Sequence, residues 1–205
     1  MFGVRRVNYR VWPDRHPPIE VDYEGWKESV LLLGDSTTYG QAIDDKYKLH
    51  NILDTNRNVI NLAYPSYSNE HILRLLVDHI VEFGYPHMVI IGYSSPWRQS
   101  FISKEDVSQG EIISLGNWNV PSLYPEELLD RDTLKEKTID IVKACRLICV
   151  NCCKYFEWTV FAAAEKDRQA WIEDMYIHPF EDRGDDNMHP GPLTIQKLGE
   201  KIGTI

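Results

Sequence analysis

The chain has 205 residues, of which 43% are hydrophobic, and its 31 acidic and 22 basic residues give a formal net charge of −9. This length supports one domain with a sizeable core and is short for two, and the apolar content excludes a wholly disordered chain. The acidic balance disfavours broad electrostatic binding to nucleic acid or to anionic lipid, so we expect neither as a partner.

Residues 1–28 lack a regular hydrophobic pattern and are interrupted by Trp12 and several prolines. Prolines break helices and central strands. We therefore predict an N-terminal arm over residues 1–28, which packs on the domain or attaches it to a partner. A single domain is predicted over residues 29–205.

The first half of this domain alternates short apolar runs with a helical pattern. In chain order, the predicted elements are a strand over 29–33 ending at Gly34, a short helix over 45–53, a strand over 58–62, a helix over 68–83 and a strand over 88–91 ending at Gly92. Short apolar runs bounded by glycine are typical of buried strands. On the longer helix, His71 and His79 are interpreted as surface or capping residues.

The second half begins with a long connection and ends with a helix. In chain order, the predicted elements are a loop over 93–125, a helix over 125–153, a strand over 158–163, a helix over 165–172, a polar loop over 181–192 and a closing helix over 193–202. Alternating strands and helices predict a parallel sheet with helices on both faces, and functional sites at the carboxyl ends of its strands.

No part of the sequence predicts secretion, a membrane span or a metal site. Arg5 and Arg6 are not followed by the apolar segment of a signal peptide, and the longest apolar runs are too short to cross a bilayer. Four cysteines lie close together without zinc-like spacing or a nearby histidine: Cys145, Cys149, Cys152 and Cys153. We expect reduced, mostly buried thiols on one helix and a cytoplasmic location.

Ser36 directly follows the first buried strand, in the segment Leu-Leu-Leu-Gly-Asp-Ser that ends at this residue. A tight turn after the strand would expose its hydroxyl at the edge of the sheet. If a helix follows, the first amides of that helix face any negative charge that develops on a reacting oxygen. The alternative is a simple helix N-cap, since Asp and Ser are favoured caps.

Asp186 and His189 lie three positions apart in the polar loop near the C-terminus. A serine hydroxyl is a poor nucleophile without a base, and a histidine base needs a carboxylate that fixes its tautomer. One short loop can present both groups to the same point. The alternative is a solvated acidic loop with an incidental histidine.

Together, the two segments resemble a known family. Gly34-Asp35-Ser36 after a hydrophobic strand is similar to block I of the SGNH (GDSL-like) hydrolases, and Asp186-x-x-His189 is similar to their block V. The resemblance covers residues 29–203. It implies a three-layer α/β/α sandwich with a parallel, flavodoxin-like sheet, Ser36 as nucleophile, His189 as base, Asp186 as its partner, and no cofactor or metal.

The middle blocks of this family are altered in the sequence. The segment 61–69 is similar to block II, with Ser66 at the position of a glycine whose N–H serves the oxyanion hole, and Ser94 stands where block III has asparagine. The resemblance therefore implies an oxyanion hole from the backbone N–H groups of Ser36 and Ser66, with Ser94 or Asn69 assisting. Loss of one such donor can cost about 10²–10³ in rate.

The long connection after block III contains three predicted substrate-binding residues, Trp97, Arg98 and Trp118. Aromatic side chains there can stack on a sugar or acyl group, and the alternative is that they cover the edge of the core. The segment 91–98 also resembles a variant found in phage-encoded members of the family. A second hypothesis for the location, based on this resemblance, is a virus particle.

The resemblance implies a serine esterase that hydrolyses a small ester through an acyl-enzyme on Ser36. An O-acetyl group on a carbohydrate is the favoured substrate, by family analogy alone. One alternative is a structural or binding protein that retained the scaffold with weak or no catalysis, in a virion or a homo-oligomeric assembly. A third is a carbohydrate-binding module that uses the loop aromatics.

Overall fold

A computed structural model describes residues 5–6, 20–21, 25–53, 56–96, 98–102, 112–115, 131–160 and 174–204. Within the predicted arm, two short segments pair as antiparallel strands. Just before the predicted domain boundary, Trp26 is buried in the core and its indole N–H donates to the carbonyl of Gly84 at 2.8 Å. The boundary at residue 29 stays a prediction.

The strands of the described residues are β1 (Arg5–Arg6), β2 (Glu20–Val21), β3 (Val30–Gly34), β4 (Val59–Asn61), β5 (Met88–Gly92), β6 (Gln99–Ile102), β7 (Ile112–Leu115), β8 (Lys154–Thr159) and β9 (Tyr176–Ile177). Five of them form one parallel sheet in the order β4-β3-β5-β8-β9. Numbered within this sheet alone, the order is 2-1-3-4-5, which is that of flavodoxin-like folds. In these folds the first strand lies between the second and the third, and sites lie where the order reverses.

The helices are α1 (Ser36–Tyr39), α2 (Leu49–Ile52), α3 (Asn69–Phe83), α4 (Arg131–Cys149) and α5 (Pro192–Gly203), with 3₁₀ turns at Trp26–Glu28 and Asp45–Tyr47. Residues of α3 and α4 share one apolar cluster with Leu31, Leu33 and Val89, whereas residues of α2 and α5 pack against Leu32 and Ile90. Since successive strand residues point to opposite faces, these clusters lie on the two sides of the sheet. The predicted three-layer α/β/α fold is confirmed.

Helix α3 begins and ends where the sequence indicated. Ser68 is its N-cap, with a capping box between Ser68 and His71, and Gly84 ends it at a positive φ of 79°. A left-handed residue at a helix end suits glycine because glycine lacks a Cβ atom. His71 thus has its predicted capping role.

His79 differs from the surface position expected for it. It is buried, its ring stacks on Trp26, and its Nδ1 lies 2.9 Å from the carbonyl oxygen of Leu75. Burial lowers the pKa of His79 to about 4, and burial likewise lowers the pKa of His71 to about 4. Both imidazoles are therefore neutral in the folded protein near neutral pH.

These buried histidines predict a loss of stability in mild acid. An unfolded histidine protonates at about pH 6.5 whereas the folded ones resist until about pH 4, so the unfolded state binds more protons between these values. As the pH falls through this window, each histidine should lower the free energy of unfolding by up to about 1.4 kcal/mol per pH unit. Urea unfolding at several pH values gives the free energy of unfolding as a function of pH. This free energy should fall less steeply with decreasing pH in His79→Gln than in the wild type. The half-buried His87→Gln serves as control, and an unchanged slope in His79→Gln would contradict the prediction.

The remaining elements differ in their limits. The predicted loop 93–125 contains the antiparallel pair β6 and β7, helix α4 ends at Cys149 before the predicted 153, and the fourth strand runs from Lys154 instead of from 158. Strand β8 carries Lys154 and Glu157, and these charged residues interrupt the apolar run by which the other strands were recognised. The predicted helix over 165–172 lies outside the described residues.

Candidate active site

Ser36 lies at the start of α1, directly after the interior strand β3. The approach of this helix to the sheet depends on two glycines. A Cβ atom on Gly34 would lie 2.1 Å from Thr38 Oγ1, and one on Gly92 would lie 2.0 Å from the same atom. Because neither glycine has a side chain, Thr38 fits between the ends of β3 and β5. The first turn of α1 thereby holds Ser36 at the carboxyl edge of the sheet.

The side chains of Ser36, His189 and Asp186 are in direct contact. Ser36 Oγ lies 2.9 Å from His189 Nε2, and His189 Nδ1 lies 2.5 Å from Asp186 Oδ2. In the chemically consistent tautomer, Nδ1–H donates to the carboxylate and Nε2 accepts from the hydroxyl. These are the contacts that a serine nucleophile, its base and an orienting carboxylate need.

Hydrogen bonds within its own loop hold Asp186 in place. Its Oδ1 accepts from the N–H groups of Met188 and His189, at 2.9 and 3.0 Å. These two amides, followed by the His189 ring, lower the pKa of Asp186 to about 2 despite an opposing effect of burial. The carboxylate is therefore ionised near neutral pH, as a partner for the imidazolium requires.

The loop that carries Asp186 and His189 is anchored at its end by Asp182. The Asp182 carboxylate accepts from the backbone N–H groups of Leu193 and Thr194 and from the Thr194 hydroxyl, all in the first turn of α5. A solvated acidic loop was the alternative interpretation of this segment, and the hydrogen bonds of Asp182 contradict it. Its position ties the loop to a long helix that packs on the core.

The same loop is joined to the segment that follows Ser36. The Asp185 N–H donates to the carbonyl of Ala42 at 3.0 Å, and a Cβ atom on Gly184 would lie 2.7 Å from that carbonyl oxygen. Ala42 and Asn187 have φ values of 63° and 58°, in the left-handed region. Tight turns on both sides thus bring the two segments close enough for Ser36 and His189 to meet.

The glycine-like position in block II keeps a glycine-like backbone. Ser66 has a φ of 73°, which few residues other than glycine adopt readily, and its side chain is exposed. The preceding Tyr64 N–H donates to the carbonyl of Gly34 at 3.1 Å, so this loop is joined to the end of β3. The first amides of a helix have no intrahelical acceptor, so the Ser36 N–H is also suited to an oxyanion.

Ser94 and Asn69 occupy positions different from those predicted for oxyanion donors. The Ser94 hydroxyl is buried and donates to Asp35 Oδ2 at 2.9 Å. The Asn69 side chain donates to the Ser94 carbonyl at 3.1 Å and accepts from the Ser94 N–H at 2.9 Å. Both polar side chains are thus hydrogen-bonded within the protein. The Ser94 hydroxyl is paired with Asp35, and the Asn69 amide is paired with the backbone of Ser94.

Arg98, predicted to bind substrate, is instead a buried partner of Asp35. Its side chain is 6% exposed and its Nη1 lies 3.1 Å from Asp35 Oδ2. Burial lowers the pKa of this guanidinium, and the carboxylate of Asp35 opposes that shift. Because its donors face inward, Arg98 is not presented to a substrate. Trp97 and Trp118 lie outside the described residues.

Asp35 has a larger role than the sequence indicated. The sequence indicated Asp35 as a favoured helix cap within the Gly-Asp-Ser motif, and its Oδ1 does accept from the Thr37 N–H at 2.9 Å. Its second oxygen receives both Ser94 and Arg98. The Gly-Asp-Ser motif marked Asp35, whereas no pattern in the sequence marked Arg98 as its partner.

Two other kinds of potentially reactive side chain, a histidine and the cysteines, lie outside the Ser36–His189–Asp186 series. His178 is buried, with Nε2 2.7 Å from the carbonyl oxygen of Thr194 and Nδ1 3.1 Å from the Tyr176 hydroxyl. The four cysteines are free thiols, and Cys145 and Cys149 are buried on α4. Among the described residues, none of the helices combines the length and apolar character needed to span a bilayer.

Among known proteins, similarity to this chain was found with solved structures and not with family models or curated sequences. No protein-family model matches the sequence, and no curated protein matches it. A lipolytic protein of the G-D-S-L family from Desulfitobacterium hafniense DCB-2 is similar with a TM-score of 0.49 and 15% identity, over 86% of this chain and 98% of that chain. A member of the same family from Veillonella parvula DSM 2008 has a TM-score of 0.49 and 10% identity, over 87% and 97%.

A third similar structure is the psychrotrophic esterase EstA from Pseudoalteromonas sp., with a TM-score of 0.45 and 11% identity, over 85% of this chain and 93% of that chain. At these identities the chemistry of this chain has to be derived from its own site.

Proposed function

We propose that the protein is a serine hydrolase of the SGNH type that cleaves a small ester through an acyl-enzyme on Ser36. The observation that carries this proposal is the unbroken hydrogen-bonded series from Ser36 through His189 to Asp186, with distances of 2.9 and 2.5 Å. A helix cap or a structural histidine would need only one of these contacts. Both together supply a nucleophile, a base and the group that orients the base.

In the proposed reaction, Ser36 Oγ attacks the ester carbonyl carbon while His189 Nε2 accepts the hydroxyl proton. The N–H groups of Ser36 and Ser66 donate to the oxyanion, and Asp186 stabilises the imidazolium. His189 then gives its proton to the departing alcohol oxygen, which leaves an acyl group on Ser36. A water molecule, deprotonated by His189, attacks this acyl-enzyme and releases the acid and the free serine.

A small acyl group on a larger alcohol is the proposed substrate class, with O-acetylated carbohydrate as the favoured example. The side chains of His189 and Asp186 are 18% and 26% exposed. The base that protonates the leaving alcohol is therefore reached from the surface. Such an opening suits an alcohol too large to be enclosed, and the acetyl group itself is inferred from family resemblance.

Active-site labelling tests the proposed chemistry directly. A fluorophosphonate probe should attach one label to the wild type, as measured by intact mass, and short-chain aryl esters should be hydrolysed. Ser36→Ala should lose both label and turnover, and His189→Ala should lose nearly all of both, because the hydroxyl then has no base. His87→Ala, a half-buried histidine outside the site, should behave as wild type.

The alternative function is a scaffold or binding protein with weak catalysis. The engagement of Ser94 and Asn69 within the protein favours it, because only backbone amides are then left of the predicted oxyanion donors. A folded wild type that neither labels nor turns over would reject the hydrolase and support this alternative. Its placement in a virion or homo-oligomer would then be tested by the mass of the assembled particle.

A further inference from the structure

A buried ionic network lies beneath the proposed nucleophile. Asp35 directly precedes Ser36, is 1% exposed, and its carboxylate receives the Thr37 N–H, the Ser94 hydroxyl and Arg98 Nη1 at 2.9, 2.9 and 3.1 Å. A buried carboxylate with three donors has little freedom to move. The turn that presents Ser36 is therefore fixed through its neighbour.

The same nitrogen of Arg98 also reaches the loop that carries the second oxyanion donor. Arg98 Nη1 donates to the carbonyl of Tyr67 at 3.0 Å, and Tyr67 follows Ser66 in the chain. Ser66 has a positive φ of 73° that a serine does not favour. The hydrogen bond from Arg98 to the Tyr67 carbonyl holds the backbone beside Ser66. Because Arg98 also binds Asp35, it links the segments that contain Ser36 and Ser66.

A third connection holds the end of β5 to this network. Ser94 donates its hydroxyl to Asp35, and its backbone N–H and carbonyl pair with the side chain of Asn69 at the start of α3. Asparagine at position 94 would be needed to place a side-chain donor in the oxyanion hole. Here that position instead supports Asp35, so the oxyanion depends on correctly placed backbone amides.

On this basis, and resting on the proposed hydrolase function, we infer that Arg98 is a positioning residue for the oxyanion hole. It joins Asp35 to Tyr67 and so sets the separation and direction of the Ser36 and Ser66 amides. Arg98 touches no reacting atom in this arrangement. Its loss should therefore reduce kcat more than it changes KM, because the amides are needed most when negative charge develops on the carbonyl oxygen.

A variant that removes both charges tests the inference without leaving a buried ion alone. Arg98→Met by itself leaves the Asp35 carboxylate without a counter-charge in a buried site, which is strongly destabilising. The double variant Asp35→Asn, Arg98→Met keeps the side-chain volumes and stays neutral. We expect its kcat on an aryl ester to fall by about 10–100-fold, which is less than the roughly 10²–10³ for outright loss of one oxyanion donor because the amides are displaced and not removed. Its KM should change by less than about threefold.

A second ion pair provides the matched control. Arg146 and Glu157 are paired between α4 and β8, with the Glu157 side chain 9% exposed, and neither belongs to the proposed site. Glu157→Gln, Arg146→Met should lower the melting temperature while leaving kcat within about twofold of wild type, as expected for a packing role alone. This control separates a general loss of stability from a specific loss of transition-state stabilisation.

Arg98→Lys gives a rescue that a purely structural role does not predict. Both bonds of Arg98 come from one nitrogen, Nη1, so a single ammonium with several donors can form them. We expect Arg98→Lys to recover most of the kcat lost in Arg98→Met, measured per folded molecule. Equal kcat for the folded fractions of wild type and Arg98→Met would overturn the inference.

The outcomes for the inference and for the proposed function are distinguishable. If the wild type reacts with the fluorophosphonate and the Asp35→Asn, Arg98→Met variant reacts as fast, the hydrolase stands and the positioning role of Arg98 is rejected. If labelling in that double variant slows about tenfold or more while the Glu157→Gln, Arg146→Met control is unaffected, the inference is supported. A folded wild type that does not react rejects both.

Discussion

Asp186→Asn is expected to lower kcat by about 10⁴-fold while the protein stays folded. The amide oxygen of asparagine can still accept from Met188 and His189, so the loop keeps its shape. Its NH₂ group, however, would face His189 Nδ1 in place of a carboxylate oxygen. That arrangement favours the tautomer with the proton on Nε2, which cannot accept the proton of Ser36.

Asp185→Asn is the matched control for this prediction. Asp185 is the exposed neighbour of Asp186 in the same loop, and its substitution makes the same change of charge. Hydrolysis of an aryl ester should be unchanged in this variant. Comparable losses in both variants would mean that the net charge of the loop, and not the tautomer of His189, controls the rate.

Gly92→Ala is expected to destabilise the fold by about 3 kcal/mol or more, at the upper end for overpacking. Its new Cβ atom would lie 2.0 Å from Thr38 Oγ1 and 2.9 Å from the buried ring of Trp158. Either α1 or Trp158 has to move, and α1 carries Ser36. Urea unfolding should therefore show lower stability, and fluorophosphonate labelling of the folded fraction should slow.

Adding Thr38→Ala to Gly92→Ala should recover part of the stability, because it removes the closer of the two obstacles. The coupling between the substitutions measures the contact between α1 and the end of β5. Gly203→Ala is the control, since a Cβ atom there meets nothing within 4 Å. Similar unfolding curves for the Gly92→Ala and Gly203→Ala variants would refute the packing argument.

Much of the fold could be predicted because its central strands are apolar runs bounded by glycine. The runs that end at Gly34 and Gly92 form neighbouring parallel strands, and their glycines meet the same threonine. The strand around Glu157 was misplaced for the opposite reason. Its buried charge is balanced by Arg146 on a helix, and a partner from another element leaves no periodic pattern in the strand itself.

The candidate site divides in a similar way. Ser36, Asp186 and His189 were marked by short motifs, because the chemistry needs fixed residue types at fixed local spacing. No sequence motif indicated that Ser94 and Arg98 point inward to Asp35. Whether such a side chain faces Asp35 or a substrate depends on contacts between segments that are distant in the chain. Local spacing indicates which groups can react, whereas the supporting hydrogen bonds depend on the assembled fold.

The order of the proposed triad along the chain has a consequence for when activity arises. Ser36 and His189 are 153 positions apart, and Asp182 anchors the loop of His189 to α5. During synthesis, the nucleophile and the strands around it emerge first, while the base has no fixed place until α5 packs on the sheet. A partly made chain would thus carry an inert serine, and the proposed ester cleavage would report that α5 has docked.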